Sequence, residues 1–238
     1  MSPIAPGDLD ALRRGMPPRD DGLLARMTLG AHVWLDPADE HCLENFLPDG
    51  GSKVKILVGK EGTGKTHLLR ALRLRAAARD YLTVSLSLRE TTWNLANIVT
   101  LYKTVAAATD REVLCRGLCR AVAAKLGYGG EQYDGSASIL PLLTTQERLS
   151  RETAAREVRK AIAAAFEESD LSPGFRAFVD ALASSRAGLD NPGLADICWR
   201  WFLGEKLSGI EQRASLLFDR LNRQTARVWL YSLIKTVR

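Results

Sequence analysis

The sequence predicts an α/β fold in which a P-loop nucleotide-binding βα core carries a large helical region. Three observations predict it. Residues 59–66 read G-K-E-G-T-G-K-T, a full match to the phosphate-binding pattern G-x-x-x-x-G-K-[ST], or Walker A motif. Ahead of it Lys53 to Val58 read as a short strand, and behind it His67 to Leu72 continue as a helix with apolar residues three and four apart. Tyr81 to Leu88 then alternate Leu82, Val84, Leu86 and Leu88 with Thr83, Ser85 and Ser87, which predicts a second strand parallel to the first.

The chemistry of a polyphosphate accounts for each residue type in the octapeptide. Gly59, Gly62 and Gly64 allow torsions and close approach that a Cβ would obstruct. Backbone N–H groups from Glu61 to Thr66 would then form an anion-binding nest at the positive end of a helix. Lys65 would bridge β- and γ-phosphate oxygens, and the Thr66 hydroxyl would take one position on Mg²⁺. The expected nucleotide contacts are Gly59, Lys60, Glu61, Gly62, Thr63, Gly64, Lys65, Thr66 and His67, with Thr66 the metal ligand. The competing reading, a chance glycine-rich turn, is disfavoured by both flanks. ATP is the expected nucleotide, because no N-K-x-D guanine-recognition motif is present.

The remaining elements follow in chain order. Residues 1–30 are broken by Pro3, Pro6, Gly7, Gly15, Pro17 and Pro18 around a short amphipathic piece at Asp8 to Arg14, and read as an arm or linker. Residues 31–128 hold the nucleotide-binding core. In it a helix is expected from Asp36, as cap, through Pro37, at its first position, to Leu47. Helical spacing follows at Leu95 to Ala108 and Arg111 to Leu126, and Gly127 to Ser138 form a glycine-rich loop. Residues 129–238 are mainly helical, with spacing at Thr145 to Glu168, Gly174 to Arg186, Ala195 to Leu203 and Ser208 to Arg238.

Composition excludes several classes. At 238 residues and 46% hydrophobic content the chain can bury a sizeable core. No run of eighteen apolar residues suggests a membrane span, and Asp8, Asp10, Arg13 and Arg14 precede any apolar stretch, so a cytoplasmic protein is expected. Cys42, Cys115, Cys119 and Cys198 are scattered and read as core residues rather than metal ligands. His32, His41 and His67 are isolated, and His67 is expected to pack or hydrogen-bond on the first helix of the core. The net charge of +5 invites nucleic acid. Yet Arg148, Arg151, Arg156, Arg159 and Lys160 are interleaved with Glu147, Glu152 and Glu157, the pattern of an ion-paired solvent face.

Two stretches mimic further ATPase motifs. Leu207 to Gln212 resembles the signature of ABC-transporter ATPases but carries Ile210 where that signature has its second glycine. Leu216 to Asp219 imitates the end of a Walker B strand, but it falls in an amphipathic pattern with Arg220 next, so a helix is expected there.

The chain resembles the P-loop ATP-binding proteins of BREX-type bacterial phage-defence systems, the BrxD-like group, related to AAA+ ATPases of the origin-recognition type. Carrying the resemblance are Ala11 to Asp20, the P-loop with its Thr66-His67-Leu68-Leu69 continuation, Ser85 to Thr91, Trp201 to Glu205 and Leu221 to Val237. It implies an AAA+-like core and an ATPase that switches or remodels a multi-protein defence complex, with the N-terminal arm near the adenine. Other proteins of the system are the implied partners; DNA contact through the complex and self-association stay open. The sequence departs from the pattern in showing no Walker B strand, sensor or arginine finger, so no catalytic residue is assigned. On that reading these residues are the first part of a larger ATPase domain and bind ATP with little hydrolysis. Two other functions stand beside it: a small-molecule kinase, and a helical interaction module that binds nucleotide without hydrolysing it.

Overall fold

The computed structural model describes residues 4–47, 49, 51, 54–79, 81–87, 96–129, 132–167, 169–189 and 192–236. Of the sequence expectations, those on Pro3, Lys53, Leu88 to Thr91, Leu95, Gly130, Glu168, Val237 and Arg238 lie outside these residues. The chain divides into two compact units, Met1–Thr83 and Val84–Arg238.

In the first unit, helices α1 (Pro6–Arg13), α2 (Asp21–Met27) and α3 (Ala31–Ala38) lead into a π-helix (Asp39–Phe46), and α4 (Lys65–Ala78) follows the glycine loop. Leu24, Leu35 and Ala71 form a small buried core, against which Ala31, Leu68, Leu72 and Leu74 pack. Polar contacts complete it. Asp8 is buried and accepts from the backbone N–H groups of Arg19 (2.5 Å) and Asp20 (3.1 Å), while Asp20 caps α2 by accepting from Leu23 N (2.6 Å).

The predicted α/β core is not what the structure shows. Among the described residues there is no strand and no sheet, and every regular element is helical. Residues 54–60 run without pairing, and Val54, Ile56 and Val58 are 88%, 82% and 91% exposed. An apolar run supplies the surface of a strand, but a strand exists only where a neighbour takes up its backbone groups. Residues 81–86 form no ladder with any described residue either, and Tyr81 anchors them: its N–H donates to Ala76 O (3.0 Å) and its hydroxyl donates to Leu43 O (2.6 Å).

The helix expected to start at Pro37 starts six residues earlier, after Gly30 at φ 68°, and takes Pro37 into its interior. Proline removes one ladder N–H and crowds the carbonyl four residues back. The backbone beyond it is the wider π-helix. Asp36 is no cap: it pairs with Arg75 (2.6 Å), and Asp39 accepts from both Arg75 (3.1 Å) and Arg79 (3.0 Å).

The second unit contains α5 (Ile98–Ala108), α6 (Arg111–Lys125), α7 (Ile139–Gln146), α8 (Arg151–Ala165), α9 (Pro173–Ala187), α10 (Pro192–Phe202), α11 (Gly209–Ser215) and α12 (Arg223–Thr236). Asn97 and Asp110 cap α5 and α6, as side chains of that type do. The stretch expected as one helix from Thr145 is two, broken where Arg148 turns to φ 53° and Ser150 caps α8. The final stretch also breaks, because Leu216 enters the left-handed region at φ 59° and ends α11. Residues 217–222 are consequently a non-helical connection, which corrects the helix expected at Leu216 to Asp219.

The core of this unit is aromatic. Phe178 and Phe202 stack at 4.9 Å and 8°, Trp201 and Trp229 lie 4.0 Å apart, and Tyr102 meets both Phe202 (6.0 Å) and Trp229 (5.6 Å) edge-on. Tyr102, Phe175, Phe178 and Phe202 are fully buried, each such ring contributing about 2–3 kcal/mol of transfer free energy. Polar tips are satisfied as burial requires: the Tyr102 hydroxyl donates to Phe202 O (2.6 Å) and Trp201 Nε1 to Asp219 O (2.8 Å).

Candidate nucleotide-binding site

The glycine loop bends as its composition demands. Gly62 and Gly64 hold φ of 80° and 82°, the region where a side chain costs about 1–2 kcal/mol. Gly59 is needed for a different reason. A Cβ there would stand 2.7 Å from Thr63 Oγ1, which is fixed by donating to Lys60 O (2.8 Å).

Gly64 caps α4 through its backbone alone, with no side-chain hydrogen bond. The first intrahelical bond runs from Leu68 N to Gly64 O (2.9 Å), so the amides of Lys65, Thr66 and His67 precede the ladder. They stand at the positive end of a fourteen-residue helix whose first turn carries no acidic residue. Lys65 folds back over the loop, and its Nζ donates to Gly59 O (2.8 Å) and Lys60 O (2.6 Å). Thr66 and Glu61 are exposed.

Of the expected contact residues, 59 to 66 are gathered in this one turn, whereas the His67 side chain is directed elsewhere. Its Nε2 lies 2.8 Å from Thr28 Oγ1. The Thr28 hydroxyl donates its one proton to Leu24 O (2.8 Å), so His67 Nε2 is the donor in the first bond. Three residues on, the guanidinium of Arg70 donates to the carbonyls of Pro18 and Arg19 and to Asp21 Oδ1 (2.6 Å). Thr28, Arg70 and the turn at 18–21 were not expected to bear on the loop. Only Asp8, Pro17-Pro18 and Asp20 hint at a fixed turn, and no spacing in the sequence reveals a contact over about fifty residues.

Both mimics resolve into structural roles. Ser208 starts α11 in a capping box, with its Oγ accepting from Glu211 N (3.3 Å) and Glu211 Oε2 accepting from Ser208 N (2.7 Å). Asp219 is exposed beside α9, its carboxylate 3.1 Å from where a Cβ on Gly174 would lie. Cys115, Cys119 and Cys198 are buried, and burial pushes the last two thiols up to about 12 and about 11. Among the described residues no His, Cys, Asp or Glu group could hold a metal. No described helix is long and apolar enough to cross a membrane.

Fold and loop define a helical protein with a glycine-turned loop of phosphate-binding sequence at the start of α4. Family comparison adds the particular. The model described as BREX system ATP-binding protein BrxC/D matches residues 8–220, and the chain belongs to that family. The matched span runs from α1 to the connection before α12 and includes the whole loop. No curated protein and no solved structure matches the chain. Membership supports ATP binding and a place among the proteins of a BREX system.

Proposed function

We propose that residues Gly59 to Thr66 are where this family member holds Mg-ATP, and that the bound nucleotide switches its association with other BREX proteins. The observation carrying this is the loop itself: two left-handed glycines present uncapped amides at the α4 N-terminus beneath a lysine with an exposed ammonium. On ATP arrival Lys65 would exchange the carbonyls of Gly59 and Lys60 for β- and γ-phosphate oxygens, a charge-assisted contact in place of a neutral one. Thr66, next in the helix, would offer its hydroxyl to Mg²⁺. Because Arg70 and His67 tie α4 to residues 18–28, a rearranged loop would be felt in the N-terminal segment. Hydrolysis, if the chain performs it, needs a group to orient water in addition to these residues.

Calorimetric titration tests the assignment. Lys65→Ala removes a contact worth about 1.5–3 kcal/mol, so Mg-ATP affinity falls on the order of ten- to a hundredfold. Thr66→Ala reduces the magnesium dependence and leaves nucleotide binding without metal unchanged. Equal affinity of Lys65→Ala and the unaltered chain would place the nucleotide elsewhere.

A further inference from the structure

Among the clefts between described helices of the second unit are two bordered by arginines, and those arginines are used differently. The first, about 500 Å³, is bordered by Arg111 and Arg186. Arg186 Nη2 reaches Glu112 Oε1 (2.5 Å) and Ser136 O (2.7 Å). Arg111 pairs with Asp196 (2.7 Å) and lies over the Trp199 ring at 5.5 Å. These guanidiniums fasten neighbouring segments and are already engaged.

The second cleft, about 450 Å³, lies along α8. Arg151, Ala155 and Arg159 line it at i, i+4 and i+8, on one face of the helix and over about 12 Å of its axis. The short Ala155 side chain leaves a notch between two long ones. Both arginines are exposed, and neither has a salt bridge or hydrogen-bond partner among the described residues. Of the three interleaved carboxylates expected to neutralise this face, Glu157 and Glu147 are engaged by other groups, and Glu152 lines the cleft. Glu157 pairs with Lys160 (3.1 Å), and Glu147 accepts from the Tyr128 hydroxyl (2.7 Å).

The facing wall is apolar and closed. Leu140 and Leu189 line it, and the carbonyls at the end of α9 are taken up: Ser184 O by Leu189 N (2.9 Å), Ser185 O by Gly188 N (3.2 Å) and Ala187 O by Ser138 Oγ (2.6 Å). No free carbonyl from these three residues opposes an anion. Glu152, also lining the cleft, leaves its charge at plus one.

We propose that this cleft binds a small organic phosphate, the phosphate between the Arg151 and Arg159 guanidiniums above Ala155 and the body against Leu140 and Leu189. Size decides between a small molecule and a polymer: a cleft of about 450 Å³ lined by two arginines, one carboxylate and two leucines has the dimensions and the mixed lining of a small-ligand site. No aromatic ring lines it to stack successive bases of a strand. Glu152 accepts a hydroxyl or amino donor of the ligand body. This assignment is independent of the glycine loop, which belongs to the other unit.

The test uses the full chain carrying Lys65→Ala, which weakens binding at the loop, and titrates it with adenosine monophosphate, ribose 5-phosphate and inorganic phosphate by calorimetry. Binding of at least one organic phosphate is expected, weakened tenfold or more when Arg151→Gln and Arg159→Gln are added. Glu152→Gln is expected to act in opposite directions, tightening inorganic phosphate by removing a like charge and weakening the organic ligand by removing an acceptor. All three side chains are exposed, and an unchanged near-ultraviolet circular dichroism spectrum verifies the fold. Absence of binding by all three compounds, or binding indifferent to both arginines, overturns the proposal. So does a short DNA duplex that binds through these arginines while the small phosphates do not, which would make the cleft a backbone contact.

Discussion

The two units of the chain are stabilised by different means. In the first, the buried core is small and aliphatic, and much of the order comes from arginines: Arg70 on the turn at 18–21, Arg75 and Arg79 on Asp36, Asp39 and Glu44. In the second, aromatic rings from α5, α9, α10 and α12, packed edge-on, tilted and in one pair stacked, fill the centre. Dispersion between close-packed rings falls off with small displacements, whereas a hydrogen-bonded guanidinium can exchange partners at little cost. The glycine loop is thus carried by the unit whose contacts are the more readily exchanged.

The largest effect that would break this contrast is in the aromatic core. Trp201→Ala should cost about 3–5 kcal/mol, seen as an early urea transition with loss of near-ultraviolet dichroism. A cost below about 1 kcal/mol would mean that the rings are not what holds the second unit.

Next in size is Arg70→Ala. Removing a guanidinium hydrogen-bonded to two carbonyls and a carboxylate should cost about 1.5–3 kcal/mol, confined to the first unit. Amide exchange at Leu23 and Leu24 should accelerate tenfold or more, with exchange around Phe178 unchanged. Uniform acceleration across the chain would show that the units do not open separately.

A smaller effect depends on pH. Backbone donation from Ser208, then its hydroxyl and Arg200, hold the half-buried Glu211 carboxyl down to about 2. Its folded value lies below its unfolded one, so its contribution is present above the ordinary carboxylate range and is lost as pH falls towards about 2. Glu211→Gln should flatten the melting temperature across that window. The carboxyl carbon shift, followed by NMR, should titrate near the low value rather than near 4.5.

The smallest effect concerns helix ends. Leu216 occupies left-handed backbone and is exposed, so Leu216→Gly should stabilise by about 0.5–1 kcal/mol in a thermal melt. No gain would mean that its side chain packs to a degree that offsets the strain.

What was legible in the sequence follows the range of the forces. Helices α5, α6, α9 and α10 were placed within about three residues, because the 3.6-residue apolar spacing that located them is set over one or two turns. The loop's glycines were legible for the same reason: the torsions at Gly62 and Gly64 are decided locally. The strands were misjudged because Ile56 and Leu86 carry only the pattern of a strand, and pairing depends on segments the pattern does not specify. Breaks at Arg148 and Leu216 were invisible, since neither residue favours the backbone it adopts there and tertiary packing must impose it. The interleaved charges on α8 were read as paired by spacing, and Glu157 does pair with Lys160 and Arg156, but Glu147, before the helix, is turned to Tyr128 and leaves Arg151 and Arg159 without it.

The bond from Tyr102 to Phe202 closes a span of one hundred residues, which bears on how the protein is made. Synthesis proceeds at about 5–20 residues per second, so Tyr102 is added to the chain some 5–20 s before its acceptor exists. Trp229, the other ring it touches, is later still. Throughout that interval the face of α5 bearing Tyr102 and Ala106, buried in the finished molecule, has no partner to cover it. The aromatic centre that makes the second unit firm is therefore also the part of it that can close only after nearly the whole unit has been made.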